Sequence, residues 1–165
     1  MKKLIFVRHG RAEDPSPEFS DFERSLTPKG KSISKLMARK LTELENKTGI
    51  IITSPAFRAL ETAIIFGSEL GIKPEKIILD SNLYYKMSYN YLVTLLSKFE
   101  NDVDSIMLFG HNPSFSEIPD RLSNAGCDFM PKSGIAGISF NIKTWSDVKQ
   151  GSGKLEYFLK PEKVI

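Results

Sequence analysis

Cysteine is nearly missing from this chain. Of 165 residues only Cys127 is one, so no disulfide can close within the chain and a thiolate-bound metal cluster has too few ligands. Histidine is almost as scarce, with His9 and His111 the only two. No apolar run approaches the ~20 residues that a membrane-spanning helix needs. The opening stretch Leu4-Ile5-Phe6-Val7 is cut off by Arg8 and His9, too early for the apolar region of a secretory signal. These absences predict a soluble chain with no membrane contact, cytoplasmic by elimination. A dominant charge is also lacking. Lys and Arg number 23 against 20 Asp and Glu, a net charge of +3, and the lysines are scattered, which gives poor grounds for nucleic-acid binding. No Gly-rich stretch ends in Gly-Lys-Ser/Thr, so P-loop nucleotide hydrolysis is unsupported.

What is present is ordinary globular composition, 41% hydrophobic and 26% charged, enough for one core and one domain over residues 1–165. Leu4 to Val7 reads as a buried strand. A helix opens at Thr27-Pro28, carries Ile33, Leu36, Met37, Leu41 and Leu44 on one stripe, and closes over residues 46–49. Ile50 to Thr53 is a second strand. Ser54 as N-cap and Pro55 start a helix that stops at Gly71. Lys76 to Leu79 is strand-like, Tyr89 to Phe99 helical, and Ser105 to Phe109 a buried strand. Asn112 as N-cap introduces a helix over Pro113 to Leu122. Ile135 to Ile142 then alternates as a strand, and Leu155 to Leu159 forms its partner at a sheet edge. Strands alternating with helices predict an α/β fold: a single three-layer α/β/α domain with a mostly parallel sheet and an antiparallel C-terminal edge.

In such sheets ligands gather beyond the carboxyl ends of the strands, and three expected strands end in polar clusters. These are Arg8-His9-Gly10, Ser54-Pro55-Ala56-Phe57-Arg58 and Gly110-His111-Asn112-Pro113. Both histidines stand at strand ends beside a glycine that permits close approach. A lone strand-end histidine is usually a loop residue bonded to backbone. Two imidazoles and two guanidiniums near helix starts, however, suit a tetrahedral dianion, because Arg offers forked donors and helix starts offer free N–H groups. Metal binding is the competing reading, but Arg8 and Arg58 oppose a dication and no carboxylate cluster accompanies them. Neither metal nor cofactor is expected.

The segments Arg8-His9-Gly10, Ser54-Pro55-Ala56-Phe57-Arg58-Ala59-Leu60-Glu61-Thr62 and Gly110-His111-Asn112-Pro113, in this order, resemble the motifs of the histidine phosphatase, or phosphoglycerate-mutase-like, superfamily. The resemblance implies that His9 is the nucleophile and that Arg8, Arg58 and His111 hold the phosphoryl oxygens. On physical grounds His9 must then be neutral, with one ring nitrogen fixed by a hydrogen bond, while Arg8, Arg58 and a protonated His111 supply positive charge to the transition state. Larger relatives carry a glutamate acid after the third strand. Here Asp80-Ser81-Asn82-Leu83-Tyr84 has none.

Without an acid, a sugar or glycerate alkoxide leaves poorly, whereas imidazole, with a pKa of about 6.5, leaves from an N-phosphorylated histidine with less help. The chain is accordingly more similar to SixA-type phosphohistidine phosphatases, on Arg8 to Ala12, Asp21 to Thr27 and Ser133-Gly134-Ile135-Ala136-Gly137. That likeness implies a phosphorylated protein as partner, with no room for a large cap. Asp21 is a candidate proton donor or water-positioning group, Arg24 a candidate phosphate contact and Ser133 a candidate pocket residue, each against the alternative of an ordinary loop residue. Two further readings stand beside it: a small-molecule phosphomonoesterase using Asp21 or Asp80 as acid, and a phospholigand-binding module without turnover. Oligomeric state, physiological substrate and pathway are not legible.

Overall fold

The computed structural model describes residues 1–46 and 49–162. Its strands are β1 (Lys2–Arg8), β2 (Ile50–Thr53), β3 (Ile78–Leu79), β4 (Ser105–Gly110), β5 (Ile135–Phe140) and β6 (Lys154–Leu159); its helices are α1 (Pro28–Leu44), α2 (Phe57–Leu70), α3 (Tyr89–Leu96) and α4 (Ser114–Leu122). They form one sheet in the order β3-β2-β4-β1-β5-β6. The first four strands are parallel, whereas β5 runs antiparallel to β1 and β6 antiparallel to β5. The expected mixed sheet with an antiparallel edge is therefore the observed one.

Alternation along the strands makes two cores. Leu4 and Phe6 of β1 point to the face covered by α3 and α4, where they join Leu92, Leu96, Phe115, Ile118 and Trp145. Ile5 and Val7 point to the opposite face, with Met37 and Leu41 of α1 and Ala63 and Phe66 of α2. With both faces covered, the central strands read as unbroken apolar runs. Of the stripe expected on α1, Met37 and Leu41 are buried and Ile33 packs against them, whereas Leu36 and Leu44 are exposed; helices on both faces complete three layers.

Boundaries depart from the sequence reading where tertiary bonds intervene. Thr27 caps α1 as expected, its Oγ1 accepting from the Gly30 N–H at 3.0 Å. The stop expected at residues 46–49 lies partly outside the described residues. Ser54 does not cap α2, which begins at Phe57 after Ala56, because its hydroxyl is engaged elsewhere. Asn112 does not cap α4 either. Pro113 occupies that position, while the Asn112 amide donates to the Met130 carbonyl and accepts from Ser116 Oγ. β3 shortens to two residues because Pro74–Lys76 turns as a 3-10 helix; α3 ends at Leu96 and β5 at Phe140.

The topology places the polar clusters together. β4 lies between β2 and β1, with Arg8 paired to Gly110 and Thr53 to Phe109. The ladder continues one residue past the strands: His9 N–H donates to the Gly110 carbonyl at 3.1 Å and Ser54 N–H to the Phe109 carbonyl at 2.9 Å. Adjacent strands lie about 4.8 Å apart, so residues 9, 54 and 111 emerge at one level on three neighbouring strands.

Candidate active site

His9 follows β1 and is 7% exposed. Its Nδ1 lies 2.7 Å from the Gly10 carbonyl. A carbonyl only accepts, so Nδ1 carries the ring hydrogen and Nε2 keeps its lone pair. Burial lowers the His9 pKa from 6.5 to about 3, and His111, Arg58 and Arg8 push the same way against the Gly10 hydrogen bond. The ring is neutral at pH 7 with one nitrogen fixed.

The turn carrying His9 is held from three sides. Gly10 N–H donates to Thr62 Oγ1 at 3.0 Å, and that hydroxyl donates to the Arg58 carbonyl at 2.7 Å. Ser133 N–H reaches the Arg8 and His9 carbonyls, each at 3.1 Å. A Cβ on Gly10 would lie 2.5 Å from Ser34 Oγ and 3.1 Å from Ser133 Oγ, so only glycine fits. Ser133 itself is buried, with φ of 61°, and its Oγ lies 2.9 Å from Ser34 Oγ. The structure therefore places this hydroxyl behind the Gly10 backbone, bonded to Ser34, where it buttresses the turn.

His111 leaves β4 beside His9, ring centroids 5.0 Å apart. Its Nε2 is 2.8 Å from Ser54 Oγ, which accepts from Ala56 N–H at 3.2 Å. Ser54 can then donate to Nε2, which leaves the His111 hydrogen on Nδ1. The protonated His111 expected in the transition state is not the state of the unliganded ring. Burial first, then Arg58 and Arg8, lower its pKa to about 4 against the pull of Asp21, so in the unliganded protein this ring is neutral. Among the described residues, the buried side-chain polar atoms without a protein partner are His111 Nδ1 and Arg8 Nε. Buried donors are ordinarily satisfied, and both of these belong to the same cluster.

Arg58, in the first turn of α2 and 7% exposed, donates through Nη1 to the Asp21 carbonyl at 2.7 Å and through Nη2 to Asp21 Oδ2 at 3.0 Å. Arg8 is half-buried and donates to the Met130 carbonyl at 3.1 Å; burial and the nearby Arg58 lower its pKa. His9, His111, Arg8 and Arg58 are thus brought within electrostatic reach of one another.

Asp21 sits at the rim, on a 3-10 turn (Asp21–Glu23) between β1 and α1. Its carboxylate accepts from Tyr84 OH at 2.7 Å, Arg24 Nη1 at 2.9 Å and Arg58 Nη2 at 3.0 Å. Tyr84 foremost, with Arg24 and Arg58, holds it well below the usual carboxylate range despite partial desolvation. Asp21 is an ionised acceptor that orients Arg58. Arg24 faces the loop, bonded to Asp21 and to the Glu13 carbonyl at 2.8 Å. Asp80 is engaged as well, capping the turn at Asn82 and accepting from Tyr91 OH.

Sequence reasoning missed Tyr84, which bonds Asp21 and packs edge-on against the His111 ring at 5.5 Å. It also missed Ser54 as the partner of His111 and Thr62 as the anchor of Gly10. Ser54 and Thr62 both lie within the motif after β2, a signal that they do more than cap a helix. No comparable signal marked Tyr84.

The open α/β sheet has a phosphoglycerate-mutase-like fold, and its strand ends carry a neutral, oriented imidazole among two guanidiniums and a second imidazole. A model of the histidine phosphatase superfamily (branch 1) matches residues 4–83. An uncharacterized protein of Picosynechococcus is 32% identical over 141 residues, which span 82% of this chain and 84% of that protein. Among solved structures, one assigned to the phosphohistidine phosphatase SixA of Agrobacterium tumefaciens shares the fold with a TM-score of 0.78 at 24% identity, covering 98% of this chain and 99% of its own. The protein histidine phosphatase SixA complexed with tungstate has a TM-score of 0.79 at 23% identity, covering 96% of this chain and 97% of its own. The chain belongs to the histidine phosphatase superfamily. Among the described residues, no helix is long and apolar enough to cross a membrane.

Proposed function

We propose that this protein is a phosphohistidine phosphatase that hydrolyses its substrate through a phosphoryl group carried transiently on His9. The observation that carries the reading is the neutral His9 ring, whose Nδ1–H is tied to the Gly10 carbonyl while Nε2 keeps its lone pair beside Arg8, Arg58 and His111. Nε2 attacks phosphorus, the bond from phosphorus to the leaving group breaks, and the negative charge on the equatorial oxygens meets the two guanidiniums and the His111 Nδ1–H. Water then attacks the phosphorylated His9, releases phosphate and regenerates the ring.

The nature of the carboxylates favours a P–N bond in the substrate. A general acid must hold a proton near the working pH, yet Asp21 is ionised by three donors and Asp80 is bonded into its own turn. Neither of these two carboxylates offers an alkoxide a proton, whereas a phosphohistidine protonated on its second ring nitrogen departs as neutral imidazole. A side chain borne on a protein fits a site that lacks a large cap.

The test compares wild type with His9→Ala on N-phosphoimidazole, a phosphohistidine peptide and p-nitrophenyl phosphate. Wild type is expected to turn over the P–N compounds in preference to the ester and to yield an acid-labile phosphoenzyme on rapid quench; His9→Ala should give neither turnover nor label. Ester preference would move the substrate to the small-molecule phosphomonoesters. Absence of both turnover and label in wild type would make the protein a binding module.

A further inference from the structure

Beside the phosphoryl site, on the other side of Arg8, lies a groove of about 550 Å³ whose walls include Arg8, Arg11, Lys29, Phe129, Pro131 and Lys132. We propose that this groove docks an acidic peptide segment flanking the phosphorylated residue of a protein substrate. The proposal rests on the phosphatase reading above and adds to it the part of the substrate that is recognised away from phosphorus.

Arg8 joins the two places. Its guanidinium lies 5.5 Å from the Phe129 ring centroid and bonds the Met130 carbonyl, so it forms a wall of the groove, and the same side chain bears on His9 and His111. A ligand that fills both places must extend beyond its phosphoryl group. Free phosphate or a compact phosphate ester reaches only one of them.

Charge selects the occupant. Neighbouring cations have carboxylate partners: Arg24 pairs with Asp21, Lys31 with Glu61 and Lys40 with Glu162. Among the described residues no carboxylate lies at ion-pair distance from Arg11, Lys29 or Lys132, and all three are exposed. The rest of the lining is mostly apolar, with Ile33, Phe129, Pro131 and Pro161 beside Ser133 and Glu162, and Phe129 is 61% exposed. Three unpaired cations over an apolar floor complement an extended segment that alternates carboxylates with apolar side chains. A polynucleotide is a poorer match, because duplex binding draws on a longer track of phosphate contacts.

Lys29 and Lys132 are the residues to reverse. Both are surface residues, where substitution ordinarily changes stability little, and a glutamate at position 29 lies in the first turn of α1, where negative charge is tolerated. Two phosphohistidine peptides, flanked by three glutamates or by three glutamines, are compared with N-phosphoimidazole. Wild type should favour the glutamate peptide in kcat/KM by about tenfold at low salt and lose that preference as salt rises. In the K29E/K132E double variant the preference should fall to about one, with N-phosphoimidazole turnover within about twofold of wild type. A wild-type ratio near one, a ratio that survives the reversal, or an equal loss on N-phosphoimidazole overturns the groove assignment. Fluorescence anisotropy with the unphosphorylated triglutamate peptide reads the groove without catalysis. Binding that the double variant abolishes keeps the assignment even if no P–N bond is cleaved, and tighter binding of oligothymidylate than of the peptide overturns it.

Discussion

At the residue scale, two hydroxyls decide the state of the two imidazoles. Thr62 receives the N–H of Gly10, the residue whose carbonyl fixes His9. Thr62→Val keeps the shape but leaves that buried N–H unsatisfied, and should cost about 1–3 kcal/mol in urea unfolding. Thr62→Ser should recover most of it, which separates the hydrogen bond from the packing. Ser54 plays the corresponding part for His111. Ser54→Ala frees that ring to rotate and should lower kcat by about tenfold, a loss of about 1.4 kcal/mol in transition-state stabilisation, with little change in the circular dichroism spectrum. An unchanged kcat would show that Ser54 does not set the His111 tautomer.

At the scale of an element, the loop between β1 and α1 behaves as one part. Leu26 pairs with Ala12, Thr27 N–H donates to the Arg11 carbonyl, and the excursion between them places Asp21 against Arg58. Asp21→Asn keeps the size but weakens three charge-assisted hydrogen bonds. The expected result is a rise in KM of about three- to tenfold through a loosened Arg58, with the shape of the kcat pH profile unchanged. Loss of a basic limb in that profile would instead identify Asp21 as a proton donor. Tyr84→Phe removes one of the three donors and should shift KM in the same direction by less.

At the scale of the whole molecule, burying the two histidines ties stability to pH. In the unfolded chain each titrates near 6.5, whereas in the fold burial holds His9 at about 3 and His111 at about 4. Between those values the unfolded chain binds more protons, so stability is full above 6.5 and declines as pH falls through 6 toward 4. Asp21 is shifted downward as well, so its contribution is also lost as pH falls, but only below its ordinary value of 3.8. The Tm of wild type should therefore drop between pH 7 and 4, and that of His111→Asn should drop less. Equal slopes would show that His111 titrates freely in the folded state. Bound vanadate or phosphate, by favouring the charged rings, should flatten the wild-type slope.

The sequence by itself determined the succession of strands and helices, the antiparallel edge, and the two histidines with their arginines, because periodicity, turn chemistry and short motifs act between residues a few positions apart. Pro28 behind Thr27 and Gly71 after α2 are signals of that kind, and both proved to be boundaries. Tertiary structure alone decided that Ser54 serves His111 across 57 residues, that Arg58 is bonded by Asp21 across 37, and that Tyr84 reaches Asp21 across 63. It also decided that His111 is neutral in the unliganded protein and that the Ser133 hydroxyl turns toward Ser34. Those facts depend on β4 inserting between β2 and β1 and on how much water this excludes, since desolvation and bonds between distant segments exist only once the chain has closed.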